Sequence, residues 1–222
     1  MRTLYHVWLN PFSRKVRIML AEKKLDFAME VEPVWERRTE FLALNPAGEV
    51  PVLVEPDSTV LSDSAAICEY LEEQSPEPNL MGGKPYEKAE VRRLVAWFDR
   101  KFHQEVTDML VNEKVMKRFL GLGEPDSRMI RAAQQNIHTH LDYITFLTDR
   151  RHWLAGEVMT LADISAAAHL SALDYLGDVP WSDHKSAKHW YARIKSRPSL
   201  RPILSDAIPG LPAPKHYANL DF

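Results

Sequence analysis

The chain has 222 residues, 45% of them hydrophobic and 27% charged, the make-up of a globular protein with room for one large or two small domains. A formal net charge of -3 argues against nucleic acid or an anionic membrane surface as a partner, and a single cysteine, Cys68, excludes an internal disulfide. No stretch reaches the roughly 18 consecutive apolar residues that a membrane span needs, and the opening MRTLYHVWLN lacks a signal-peptide cleavage pattern; the expected location is the cytoplasm, without membrane insertion.

Residues 3–9 are β-branched and aromatic and stop at Asn10-Pro11, which predicts a first strand ending in a turn. Val16, Met19 and Leu20 recur at helical spacing among Arg14, Lys15 and Arg17, predicting an amphipathic helix over 13–20 with Ser13 as its N-cap. Residues 27–34 read as a second strand, and the charged excursion Trp35-Glu36-Arg37-Arg38-Thr39 follows. The turn Asn45-Pro46-Ala47-Gly48 then leads into Val50-Pro51-Val52-Leu53, where a proline that cannot donate a ladder hydrogen bond suits an edge or a cis peptide. If that bond is cis, the N–H and C=O of Val50 turn outward, free to pair with an extended, peptide-like ligand. Residues 52–54 and 59–61 flank the turn 55–58 as a hairpin. Asp63 and Ser64 open a third helix to about Glu73, where free backbone N–H groups and the positive dipole end attract a carboxylate.

Proline and glycine concentrate between residues 75 and 85, which marks a linker. Beyond it only helical spacing is found: 86–120, 127–150, 160–176 and 185–196. The predicted organisation is an α/β domain at 1–78, a linker at 79–86, an all-α domain at 87–205 and a tail at 206–222. Thr160 is placed as an N-cap with Asp163 reaching back to its N–H, and Met159 and Ile164 as a staple. This cap serves folding. His138 and His140 are two apart and are expected to be solvated on different helix faces; His184 and His189 show no convergent ligand spacing, so no metal is expected. Cys68, in the apolar run Ala65-Ala66-Ile67, reads as a buried small residue.

Taken in order, the first strand, SRKVRIML, FLALNP, the NPAGEVPVL turn, Asp63-Ser64 and Thr160-Leu161-Ala162-Asp163 resemble the glutathione-transferase superfamily. The resemblance implies a thioredoxin-like N-terminal domain followed by an α-helical C-terminal domain, with Val50, Pro51, Asp63 and Ser64 around the tripeptide. Members of the superfamily make the bound thiol nucleophilic with a hydroxyl at the end of the first strand or just after it. Here those places hold Trp8 and Asn10. Asn10 offers a weak donor, and Ser13 or Tyr5 could substitute if the register slips.

The last fifteen residues, IPGLPAPKHYANLDF, either fold back onto the helical domain or form an arm for another protein. Trp35 beside two arginines has the composition of an interaction hot spot, or packs inward. Together with WERR-EFLALNPAGEVPVL and the closing KHYANLDF, the missing hydroxyl is similar to one branch of the superfamily, the transferase-like division proteins of alphaproteobacteria. That resemblance implies a homodimer that needs no cofactor, binds FtsZ filaments at the division site and promotes their curvature or bundling. Trp35, Arg201, Asp221 and Glu113 are then the contact residues. The alternative is a cytosolic glutathione S-transferase acting on small electrophiles, or a related isomerase or dehalogenase, with Asn10 or Ser13 as the sulfur-directed group.

Overall fold

The computed structural model describes residues 1–220. Its N-terminal part runs β1 (Arg2–His6), α1 (Pro11–Glu22), β2 (Phe27–Val31), α2 (Thr39–Leu44), β3 (Val52–Val54), β4 (Val60–Ser62) and α3 (Ser64–Gln74). The sheet order is β2-β1-β3-β4, with β1 parallel to β2 and the other pairs antiparallel. Thr3, Leu4 and Tyr5 face Val54, Leu53 and Val52 in register. After α3 every long element is helical: a long helix, α4, at residues 85–120, then α5 (Ser127–Thr148), α6 (Leu161–Leu176), α7 (Lys185–Lys195) and the short α8 (Arg201–Leu204). Within α4 the turns widen to the π form at Trp97–Thr107 and Asn112–Met116. One hydrophobic core runs through both halves, from Leu4 and Leu53 to Trp190 and Ile203.

The first strand stops at His6 rather than residue 9, because the Asn10 N–H turns back to the Val7 carbonyl. The second ends at Val31, where Pro33 cannot continue a ladder. Helix α1 begins before Ser13. Asn10 is its cap, with Oδ1 accepting the Ser13 N–H at 2.8 Å, and Pro11 occupies the first turn, where no N–H is needed. Ser13 therefore lies inside the helix.

The polar stripe of α1 is not a solvent face. Arg14, Lys15 and Arg17 are all at most 2% exposed because this stripe is pressed against the helical half. Asp206 accepts from Arg14 Nη2 at 3.2 Å and from Arg17 Nη1 and Nη2 at 2.9 and 2.7 Å. Arg14 also reaches Ser171 Oγ at 2.9 Å and the Tyr217 hydroxyl at 3.2 Å. Lys15 pairs with Asp99.

Helix α6 is the central element, buried from Leu161 through Tyr175. Thr160 Oγ1 accepts the Ala162 N–H at 3.3 Å, and Asp163 Oδ2 accepts the Thr160 N–H at 2.9 Å. The same carboxylate does more than cap. Its Oδ1 takes the Leu154 N–H at 3.0 Å and the Trp190 indole N–H at 2.9 Å, tying the preceding loop and α7 to α6. Burial pushes this carboxyl upward in spite of those donors.

Residues 206–217 of the tail fold back onto the helical domain. Tyr217 is buried, its hydroxyl donating to the Ile203 carbonyl at 3.0 Å, and the Tyr175 hydroxyl donates to the Leu211 carbonyl at 2.7 Å. His140 is buried too, not solvated, because α5 packs on the π segment of α4. There its Nδ1 accepts from the Trp97 indole at 3.1 Å and its Nε2 meets Glu105 at 3.0 Å. His184 does converge with other groups, 2.8 Å from His138 Nδ1 and 3.1 Å from Asp142, contacts that span helices and leave no trace in local spacing. Among the described residues no group of three or more His, Cys, Asp or Glu side chains is placed to hold a metal ion. No helix of the described residues is long and apolar enough to cross a membrane.

Candidate functional site

A cavity of about 650 Å³ lies between the two halves, a size suited to a small peptide-like ligand. Val50, Pro51, Asp63 and Ser64 all line it. The Val50-Pro51 bond is cis. The preceding turn is held by Asn45, whose side-chain amide donates to the Glu49 carbonyl at 2.8 Å and whose Oδ1 accepts the Ala47 N–H at 3.2 Å.

Asp63 sits at φ 72° and caps α3, its Oδ1 accepting the N–H groups of Ala65 and Ala66 at 2.7 and 3.1 Å. The helix start is thus partly served by the chain's own carboxylate. This leaves fewer free donors for a ligand than the sequence suggests.

Neither residue proposed as a sulfur-directed donor reaches the cavity. Asn10 spends its side-chain oxygen on the cap, and the buried Ser13 hydroxyl finds no hydrogen-bond partner among the described residues. Tyr5 lies on β1 against Phe41, ring centroids 5.7 Å apart. From the first turn of α1, Phe12 lines the cavity. Its ring is edge-on to His103 and His169, at 4.8 and 5.6 Å, and neither histidine lines the cavity.

The opposite wall comes from α4, through Arg92, Val95, Ala96, Asp99 and Arg100. Arg92 reaches across to Glu69 of α3 in a two-pronged pair at 2.7 and 2.8 Å. Burial works to raise the Asp99 carboxyl, but Lys15 and His169 outweigh it and hold the group well below the carboxylate range. A fixed anion therefore borders the space beside Phe12. His169 is brought down to about 4 by burial, with its Nδ1 on the Thr107 hydroxyl at 3.0 Å. Cys68 is fully buried and its thiol is pushed up to about 12, which removes it from any nucleophilic role. Sequence reasoning passed over Phe12 and the α4 wall. The wall was marked only by the spacing of residues 92, 95, 96, 99 and 100, one face of a helix.

The residues proposed for partner contact lie elsewhere. Trp35 is half-buried in the short turn Val34–Glu36 and packs edge-on against Phe119 of α4, centroids 5.0 Å apart. Glu113 is buried and internally engaged. It pairs with Lys117 at 2.7 Å and accepts the Asp126 N–H at 2.6 Å, closing the connection to α5. Arg201 is exposed at the start of α8. Asp221 lies outside the described residues.

With this fold and cavity, the family can be stated. Residues 11–74 match the glutathione S-transferase N-terminal domain and residues 109–198 the C-terminal domain. The chain belongs to the glutathione S-transferase family. It is 50% identical to FtsZ-localized protein A of Caulobacter vibrioides over 224 aligned positions, covering 100% of this chain and 98% of that one. Among solved structures, FzlA from C. crescentus superposes with a TM-score of 0.97 at 50% identity, covering 100% of this chain and 99% of the other. A glutathione S-transferase from Rhodospirillum rubrum F11 gives the same TM-score at 60% identity, with both chains covered in full.

Proposed function

We propose that this chain is a non-enzymatic member of the family that associates with FtsZ filaments at the division site and regulates their curvature or bundling, acting as a cytoplasmic homodimer without a cofactor. The observation that carries the reading is its 50% identity with FtsZ-localized protein A, in an alignment that covers the whole of this chain. The cavity supports it from the other side: the first turn of α1 presents Phe12 to the cavity rather than a hydroxyl, and the ionised Asp99 beside it opposes a thiolate. Trp35, Arg201 and Asp221 are the proposed contact residues. Glu113 contributes by tying the end of α4, which carries Phe119, to the start of α5.

The test is co-sedimentation with polymerised FtsZ, followed by electron microscopy of the pellets. Filament-dependent pelleting with curved or bundled polymers is the expected result. Absence of pelleting under conditions where FtsZ polymerises fully would refute the reading.

A second reading, glutathione binding with conjugation or reduction of small electrophiles, is favoured by the convergence of Val50, Pro51, Asp63 and Ser64 on one cavity. Calorimetric titration with reduced glutathione separates the two. Binding at millimolar concentration together with turnover would support the enzyme, and no heat of binding would remove it.

A further inference from the structure

A second cavity, of about 280 Å³, lies where the end of α4 meets the C-terminal segment. One wall is Lys114, Val115, Arg118 and Phe119 of α4, and the other is the tight turn Ile208–Leu211. Both walls are preformed. The Tyr175 hydroxyl accepts the Ile208 N–H at 3.0 Å and donates to the Leu211 carbonyl at 2.7 Å, clamping both ends of the turn. On the helix side Lys114 is fixed to Asp178. Val115, Ile208 and Leu211 join Leu204 in one apolar cluster that floors the groove. At its mouth Phe119 is 62% exposed, although its ring already carries the edge of Trp35. The two ionisable lining residues are both cations, and among the described residues Arg118 forms no ion pair. In a chain of net charge -3 this is a local positive site above an apolar floor.

We propose that this groove docks a short acidic segment of the filament protein, with an apolar side chain entering between Phe119 and Leu211 and a carboxylate meeting the Arg118 guanidinium. The proposal rests on the filament-binding reading above. Charge complementarity selects the occupant. A purely apolar segment would strip water from Arg118 without giving it a partner, and two cations, one already paired, are too few for a nucleic-acid backbone. A carboxylate offers the guanidinium a two-pronged, charge-assisted contact, and an exposed aromatic beside it is the anchor such interfaces use. A rigid groove also leaves only the incoming segment to be ordered.

The experiment is quantitative co-sedimentation with polymerised FtsZ at low and high salt, using wild type, Phe119→Ala, Arg118→Glu and, as a distant control, Arg131→Glu on the exposed side of α5. All of these side chains are at the surface, and matched melting curves check the fold. The proposal expects Phe119→Ala and Arg118→Glu each to weaken binding by about tenfold or more, Arg118→Glu to remove the loss of binding at high salt that wild type shows, and Arg131→Glu to behave as wild type. If wild type binds and both groove variants bind equally well, the groove is refuted while the filament reading stands. If wild type itself does not bind, both fall together.

Discussion

Replacing Asp206 with alanine removes the one carboxylate shared by two buried guanidinium groups of α1. Side-chain exposure is 0% for Arg14 and 2% for both Arg17 and Asp206, so water cannot take its place. Arg14 keeps the Trp8 carbonyl at 2.8 Å, Ser171 and Tyr217. Arg17 keeps only a long contact to the Pro202 carbonyl at 3.4 Å and the face of Trp8 at 5.5 Å. Breaking a buried pair from one side costs about 3–5 kcal/mol, and the partners left to Arg14 place this case near the lower end. At roughly 2–4 °C per kcal/mol for a chain of this size, melting should fall by about 6–12 °C. Urea unfolding gives the free energy, and limited proteolysis should show earlier cleavage beyond Ile208. Tyr217→Phe removes a hydroxyl that links Arg14 to Ile203 and should cost about 1 kcal/mol, and the double variant should lose less than the sum because both act on Arg14. A loss below about 1 kcal/mol for Asp206→Ala would refute the view that this carboxylate holds the two halves and the tail together.

Acid should weaken the fold before the carboxylates titrate. His6 and His169 are each brought from 6.5 to about 4, chiefly by burial, so the unfolded chain binds more protons below pH 6.5. Their contribution is complete above that pH and is lost as pH falls toward 4, at up to about 1.4 kcal/mol per pH unit for each histidine. Urea melts between pH 7 and 4.5 should show the slope, and His169→Gln should flatten it; an unchanged slope would count against the assignment. Asp163→Asn turns one acceptor oxygen into a donor facing the Thr160 N–H and should destabilise by about 1–3 kcal/mol, read by urea unfolding. Phe12→Ser places a hydroxyl at the cavity wall and should raise conjugation of glutathione to a chlorinated dinitrobenzene by at least about tenfold, about 1.4 kcal/mol of barrier. No gain would mean that Phe12 does not limit thiolate activation at this cavity.

Where a feature depended on neighbours in sequence, it could be read directly. The Thr160–Asp163 cap, the β3–β4 hairpin and the Asp63 helix start rest on residues two to ten positions apart, and each forms as its residue types dictate. The α1 cap was misread by three positions because Asn10-Pro11 and Ser13 both suit a helix start, and only the Val7–Asn10 turn decides between them. Burial of Arg14, Lys15 and Arg17 was hidden for another reason. Periodicity tells polar faces from apolar ones, but cannot distinguish a solvated stripe from one met by Asp99 and Asp206. Four residues of the ligand-like site were legible through the turn and helix start that carry them. Phe12 was not, because its place in the cavity follows from where Asn10 starts the helix.

The partners of α1 have a bearing on how the chain reaches its fold. Arg14 and Arg17 wait for Asp206 and Tyr217, contacts 189 to 203 positions away in sequence. Closures of that span are slow, because most of the chain must be ordered before they form. A nascent N-terminal half leaves the ribosome carrying three cations on a face built for burial; Lys15 meets Asp99 once α4 packs, while Arg14 and Arg17 find their counter-charge only when the distal segment arrives. Chains cut short before residue 206 therefore leave Arg14 and Arg17 without their shared carboxylate, and that unpaired charge opposes burial of α1 against the helical half.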